Sequence, residues 1–257
     1  MTAATDSTLR FGNRVDDYAR YRPGYPAELV PWLVARCGLA AGDAVADVGC
    51  GTGLFTRELL RAGLRVRGVE PNAPMRLAGQ SFLAEFGAAF DAGDGTAEAT
   101  GLAPASVRLV TAAQAFHWFR PQPTRAEFAR ILQPGGHVAL VWNVRREDTP
   151  FLVGYEALLQ RHAPEYAASG VPAQADEAVI GAFFAPHGYD SRSIGYVQRF
   201  DRAGLRGRLL SSSYAPAAGT PGHAPMLAEL DALFDAQQRG GLVDFGYDTR
   251  VFVGRLD

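Results

Sequence analysis

The chain has no lysine: all 25 of its basic residues are arginine. That excludes a Schiff-base lysine and a Walker-type phosphate lysine. Cysteine is scarce, with only Cys37 and Cys50. Two thiols so placed make neither a disulfide framework nor a metal-ligand spacing, and they fit a reducing cytosol with no metal. No apolar run is long enough to span a bilayer, and the start MTAATDSTLRFGNRVDDYARYR lacks the apolar core of a signal peptide. A cytoplasmic protein without membrane partners is therefore expected. Neither sign of charge dominates, and the net charge is -2. A chain so balanced carries no electrostatic footprint for nucleic acid. What remains is 257 residues, 47% of them hydrophobic, enough for one large domain with room for an insertion. The heavy use of Ala, Gly and Arg fits a GC-rich bacterial genome.

The hydrophobic pattern alternates between short apolar runs and longer amphipathic ones. Strands are expected at 43–48, 64–69, 88–92, 107–113 and 137–144, with helices at 26–37, 54–61, 73–86 and 124–132. Short connections between alternating strands and helices predict a parallel sheet with helices on both faces. After residue 150 the pattern changes. Helices are expected at 151–162, 176–184, 205–213 and 226–238, strands at 194–200 and 249–254, and loops at 167–176 and 215–225. No internal repeat is visible.

The run AVADVGCGTGLFTREL places Gly49, Gly51 and Gly53 directly after a strand. Glycines there let a backbone approach a ligand closely. The dinucleotide fingerprint G-x-G-x-x-G is matched at Gly49 and Gly51 but not at its last position, which is Leu54. Asp47 at the strand end could face an ammonium group or cap the turn. Glu70 ends the next strand, where an acid can accept both ribose hydroxyls. Asp94, Thr96, Ala97 and Glu98 make a polar turn that could read an adenine edge or be an ordinary loop. Phe116, His117, Trp118 and Phe119 follow the fourth strand together. They suggest a ligand wall, or else a core cluster with a satisfied histidine.

These motifs together resemble the class I S-adenosylmethionine-dependent methyltransferases. VADVGCGTG is similar to the family's first motif, GVEPN to its ribose-binding acid, GTAEATGL to its adenine turn and LVTAAQAFHWF to its fourth-strand motif. YARYRPGYP and FHWF are similar to small-molecule members like the trans-aconitate methyltransferases. The resemblance covers residues 13–145 and is weaker beyond, where SSSYAP at 211–216 looks like a late motif of that subgroup. It implies a Rossmann-like α/β fold: a doubly wound, mostly parallel seven-stranded sheet. It divides the chain into an N-terminal helical lid (1–42), a cofactor core (43–148) and a C-terminal cap with the last strands (149–257).

The resemblance also implies roles. S-adenosylmethionine would contact Tyr18, Arg22, Asp47, Gly49, Gly51, Gly53, Glu70, Pro71, Asp94, Thr96, Ala97, Gln114 and Ala115. Thr96 stands where relatives often carry an acid, which leaves the Ala97 amide for the adenosine. Tyr25, Phe116, Trp118, Arg145 and Tyr214 would face a small-molecule acceptor, with His117 as the candidate base. Phe151, Tyr155, Phe183 and Phe184 are further candidates to line the mouth. O-methylation of a carboxylate or hydroxyl is the favoured reaction. N-methylation of a heteroaromatic, an NAD-dependent oxidoreductase and a non-catalytic cofactor-binding module are the alternatives. RNA methylation is disfavoured by the charge. The oligomeric state is open.

Overall fold

A computed structural model describes residues 22–164, 166, 176–212 and 214–257. Tyr18 with residues 1–21 of the expected lid, and residues 167–175 of the expected loop 167–176, lie outside these described residues.

The first described helix, α1 (Leu29–Cys37), buries Leu29, Val30, Leu33 and Cys37 on one stripe. Gly38 stops it in the left-handed region at φ 60°, with amides of Gly38 and Leu39 returning to Ala35 and Val34. Five parallel strands follow: β1 (Ala44–Val48), β2 (Arg65–Val69), β3 (Phe90–Gly93), β4 (Val107–Ala113) and β5 (Leu132–Arg145). They are joined by α2 (Leu54–Arg61), α3 (Ala73–Phe82) and α4 (Pro121–Ile131). β1 is buried along nearly its whole length because helices cover both faces of the sheet. The rest of the chain supplies α5 (Pro150–His162), α6 (Glu177–Phe184), β6 (Tyr189–Phe200), α7 (Arg202–Leu210), α8 (His223–Gln237) and β7 (Val243–Gly254).

The seven strands are ordered β3-β2-β1-β4-β5-β7-β6, with β7 antiparallel to both β5 and β6. The order reverses between β1 and β4, so a crevice opens at the carboxyl ends of these two strands. The expected seven-stranded, mostly parallel sheet is therefore present. One hydrophobic cluster packs under α4 and α6 through Phe128, Ile131, Ile180 and Phe183. The opposite face packs under α1 and α2 through Leu29, Leu33, Phe55 and Leu59. A third cluster unites α5, α7 and α8 with Phe245 and Tyr247.

The structure corrects several boundaries. β6 starts at Tyr189 rather than 194, and β7 at Val243 rather than 249. Helix 73–86 ends at Phe82, and a 3-10 turn, Ala84–Ala89, continues the chain to β3. The helix expected at 205–213 begins at Arg202, where the Asp201 carboxylate accepts the Gly204 amide. α6 packs on the sheet core through Ile180, Phe183 and Phe184. Among the described residues no helix is long and apolar enough to cross a membrane.

Candidate functional site

The glycine turn is stapled to the end of β2. Gly49 donates its amide to the Val69 carbonyl at 2.8 Å, and Gly51 donates to Glu70 Oε2 at 2.9 Å. The other Glu70 oxygen accepts the Asn72 amide at 2.9 Å, and Asn72 Oδ1 in turn caps α3 by accepting from Met75. Two backbone donors thus fix the Glu70 carboxylate against the loop. Glu70 is buried, and desolvation raises its pKa above the ordinary glutamate value despite those hydrogen bonds and the nearby Arg76. At Gly49 φ is +69°, and a Cβ there would stand 2.6 Å from that of Ala115. At Gly53 φ is +82°, and a Cβ would stand 2.6 Å from Leu83. Neither position admits a side chain.

Asp47 is placed differently from a ligand-facing acid. Thr111 donates to its Oδ1 at 2.7 Å and Thr56 to its Oδ2 at 2.6 Å, within a fully buried clasp joining β1, β4 and α2. Burial pushes its pKa up to about 6, against the two hydroxyl hydrogen bonds and with a small contribution from Glu70.

Around the crevice, Pro71 is exposed beside Glu70. Asp94 is also exposed, with Arg76 Nη1 at 3.5 Å from its carboxylate. Thr96 and Ala99 exchange backbone hydrogen bonds, which folds the turn around the buried Ala97. Gln114 has φ +58°, a left-handed conformation that is costly for a residue with a Cβ. Its amide donates to Val141 at 2.8 Å, and its side chain donates to the Asn143 carbonyl at 3.2 Å. Sequence reasoning missed Asn143. Its side chain donates to the Gly24 carbonyl at 2.9 Å and accepts from Thr249 at 2.6 Å, tying the N-terminal segment to β5 and β7. Tyr25 rests on Phe55 of α2 with ring centroids 4.7 Å apart.

The aromatic run after β4 splits by role. Phe116 is buried and meets Trp142 and Phe183 edge-to-face, while Trp118 is 49% exposed. A cavity of about 230 Å³ opens here, lined by Phe116, His117, Phe119, Trp142, Asp176 and Ile180. Trp142, which the sequence did not single out, is buried with its indole Nε1 unpartnered at this cavity. Phe119 bridges the cavity to the loop, since its ring would lie 3.3 Å from a Cβ on Gly49. His117 keeps an exposed edge, while its surroundings push its pKa down to about 4 by desolvation. The ring is therefore neutral at physiological pH.

Arg145 and Tyr214 come together away from this cavity. Arg145 pairs with Glu156 and donates to the Tyr166 hydroxyl at 3.0 Å, and the Tyr166 ring lies 4.8 Å from that of Tyr214. Arg22 turns to the same region, with Nη2 3.3 Å from the Ser211 carbonyl. Phe151 and Tyr155 are core residues of the α5–α7–α8 cluster, and Phe183 and Phe184 of the sheet core. Among the described residues no cluster of three or more metal-ligating side chains occurs.

Comparison with known proteins accounts for this arrangement. Residues 46–140 match the family described as a methyltransferase domain. In this segment the chain is similar to the class I S-adenosylmethionine-dependent methyltransferases. A methyltransferase of Mycobacterium tuberculosis is 42% identical over 142 residues, which cover 55% of either chain. A methyltransferase-like protein of Schizosaccharomyces pombe is 30% identical over 152 residues, 59% of this chain and 58% of that one. This chain thus spans little more than half the length of the curated relatives it matches. The methyltransferase fold extends further. A proposed type II methyltransferase from Anaeromyxobacter dehalogenans superposes with a TM-score of 0.68 at 24% identity, covering 92% of this chain and 98% of its own.

Proposed function

We propose that the protein transfers the methyl group of S-adenosylmethionine to an oxygen of a small molecule. The observation that carries this reading is the Glu70 carboxylate, fixed 2.9 Å from the Gly51 amide at the sheet's switch point. The site fits the cofactor on its own chemistry. Gly49, Gly51 and Gly53 leave a bare backbone cradle, and Glu70 is an oriented acceptor whose remaining lone pairs suit ribose hydroxyls. Pro71 and the Ala97 amide border the adenine, with Asp94 and Thr96 at its rim. Gln114, Ala115, Arg22 and Tyr18 are assigned to the methionine end. Asp47 supports the cradle from inside rather than touching the cofactor. On this reading 43–148 holds the cofactor, 149–257 shapes the acceptor site and 1–42 closes over it.

When bound, the cofactor supplies a methyl group already activated on a sulfonium. The protein's task is then alignment and exclusion of water, and orientation contributes about 7–11 kcal/mol in favourable intramolecular systems. Phe116, Phe119 and Trp142 keep the side facing the cavity apolar. His117 is neutral, and with a pKa of about 4 it is a weak base. A carboxylate acceptor carries no proton to remove, so this site favours methylation of an acid over that of an alcohol or amine.

The test is calorimetric titration of the purified protein with S-adenosylhomocysteine, and with NAD as the control. Micromolar binding of the first without the second supports the reading. Binding of NAD alone would return the loop to dinucleotide chemistry and overturn it.

A further inference from the structure

Near the carboxyl end of β5 the described residues gather more positive charge than the described carboxylates there balance. Arg208 is 5% exposed, yet its hydrogen-bond partners are neutral: Nε donates to Tyr247 Oη at 3.0 Å and Nη1 to Ser212 Oγ at 3.1 Å. Arg145 pairs with Glu156, but its Nε is buried without an acceptor. Arg22 reaches the Ser211 carbonyl from the N-terminal segment. Among the described residues, Glu156 is the one carboxylate in an ion pair with Arg145 or Arg208. Tyr155 lies in the same cluster, fully buried, with its hydroxyl unpartnered and the Arg145 guanidinium 5.1 Å over its ring.

Burying a guanidinium without a counter-charge is costly, and so is burying a donor without an acceptor. Both costs fall at one place here, and one ligand chemistry relieves both. Tyr214 senses the same field. Burial alone would raise the pKa of its phenol, but Arg208, a hydrogen bond with Ser212, Arg22 and Arg145 together bring it below the usual tyrosine value. The cluster connects along β5 to Gln114 of the candidate cofactor site. Asn143 lies two residues before Arg145 on β5, and its carbonyl accepts the Gln114 side chain.

We propose that Arg145, Arg208 and Tyr155 form an anion subsite that anchors a carboxylate or phosphate of the methyl acceptor. Arginine suits this role because its planar fork matches both groups. A guanidinium bound to the reacting oxygen would engage the lone pair that must attack the methyl carbon. The anchored anion is therefore a second group, set apart from the atom that is methylated. The acceptor class is a small molecule carrying at least one such anionic group. This rests on the methyltransferase reading of the neighbouring cofactor site.

The test is calorimetry on the full chain with acetate, inorganic phosphate and neutral acetamide as probes, at constant ionic strength, with and without S-adenosylhomocysteine. Acetate or phosphate should bind and acetamide should not. The stronger of the two anions tells which group the acceptor carries. Arg208→Met should weaken anion binding at least tenfold, and S-adenosylhomocysteine titrated into the same variant reports whether the cofactor half is intact. Should that variant not fold, Tyr155→Phe removes only the unpartnered hydroxyl and should weaken anion binding several-fold. Equal behaviour of acetate, phosphate and acetamide overturns the proposal, as does undiminished anion binding in whichever variant folds. Loss of S-adenosylhomocysteine binding by the unaltered protein would sink the methyltransferase reading instead, and the anion titration without it is read on its own.

Discussion

Glu70 Oε2 accepts the Gly51 amide at 2.9 Å, so the end of β2 grips the glycine turn that follows β1. The same carboxylate would serve two ends: it fixes the loop, and on the proposed function it would accept the ribose hydroxyls. Glu70→Ala should therefore weaken S-adenosylhomocysteine binding by about 3 kcal/mol, roughly a hundredfold in Kd, from the loss of charge-assisted hydrogen bonds. Titration calorimetry measures this. An unchanged Kd would show that the carboxylate only braces the loop.

Gly49 and Gly181 make a matched pair. A Cβ at Gly49 would collide with Ala115 at 2.6 Å on a backbone at φ +69°, whereas Gly181 on α6 has open space. Gly49→Ala should cost about 2–4 kcal/mol of stability from overpacking and left-handed strain, and should abolish cofactor binding. Gly181→Ala should stabilise by about 0.5–1 kcal/mol through helix propensity. Chemical denaturation of both variants checks the pair. A Gly49→Ala protein of native stability would mean that the turn can relax.

The glycine turn, Glu70 and the first five strands were legible because their determinants are local. Strand, turn and acid sit in one β1–α2–β2 unit, and buried parallel strands read as continuous apolar runs. β6 was cut short because its first half, Asp190–Ser193, is exposed and polar, and only pairing with β7 makes it a strand. β7 was cut short because Asp244, Gly246 and Asp248 interrupt its hydrophobic pattern. Asn143 was illegible for another reason: its partner Gly24 lies 119 residues away. Arg208 was not singled out because in sequence it is one of three arginines of α7, with Arg202 and Arg206, and only the packing of α7 against Tyr247 buries it. Asp47 carried the right spacing for a ligand acid, but two threonine hydroxyls hold it inside the fold.

That clasp has a pH signature. Asp47 has its folded pKa raised from 3.8 to about 6, so the folded state binds its proton more tightly than the unfolded state does. Its contribution to stability is fully present below 3.8 and is lost as pH rises through about 6, a change on the order of 3 kcal/mol. When the acid is protonated, Thr111 can turn its hydroxyl toward the Ala46 carbonyl, 3.4 Å away, and accept the proton of the acid. Asp47→Asn lacks this titration. Its stability relative to the unaltered protein should improve between pH 4 and pH 7, as read by denaturation at both values. A constant difference across that range would show that Asp47 titrates near its unfolded value.

His117 separates a base from a wall. Its pKa of about 4 leaves the ring unprotonated across the neutral range, so kcat/KM should be flat in its titration from pH 6 to 8 and fall only toward pH 4. For an acidic acceptor no proton leaves the nucleophile, and His117→Ala should lower the rate by less than about tenfold, through lost packing with Trp118 at 5.0 Å. General-base catalysis would be lost with a cost of roughly 10²–10⁴. A loss of that size, accompanied by disappearance of the acidic limb from the pH profile, would make His117 the base and move the acceptor from acids to hydroxyls or amines. The small loss, with the limb assigned to the acceptor's own carboxyl, would leave the ring as a wall of the cavity, and the choice of acceptor would then rest on the charge gathered at Arg145 and Arg208.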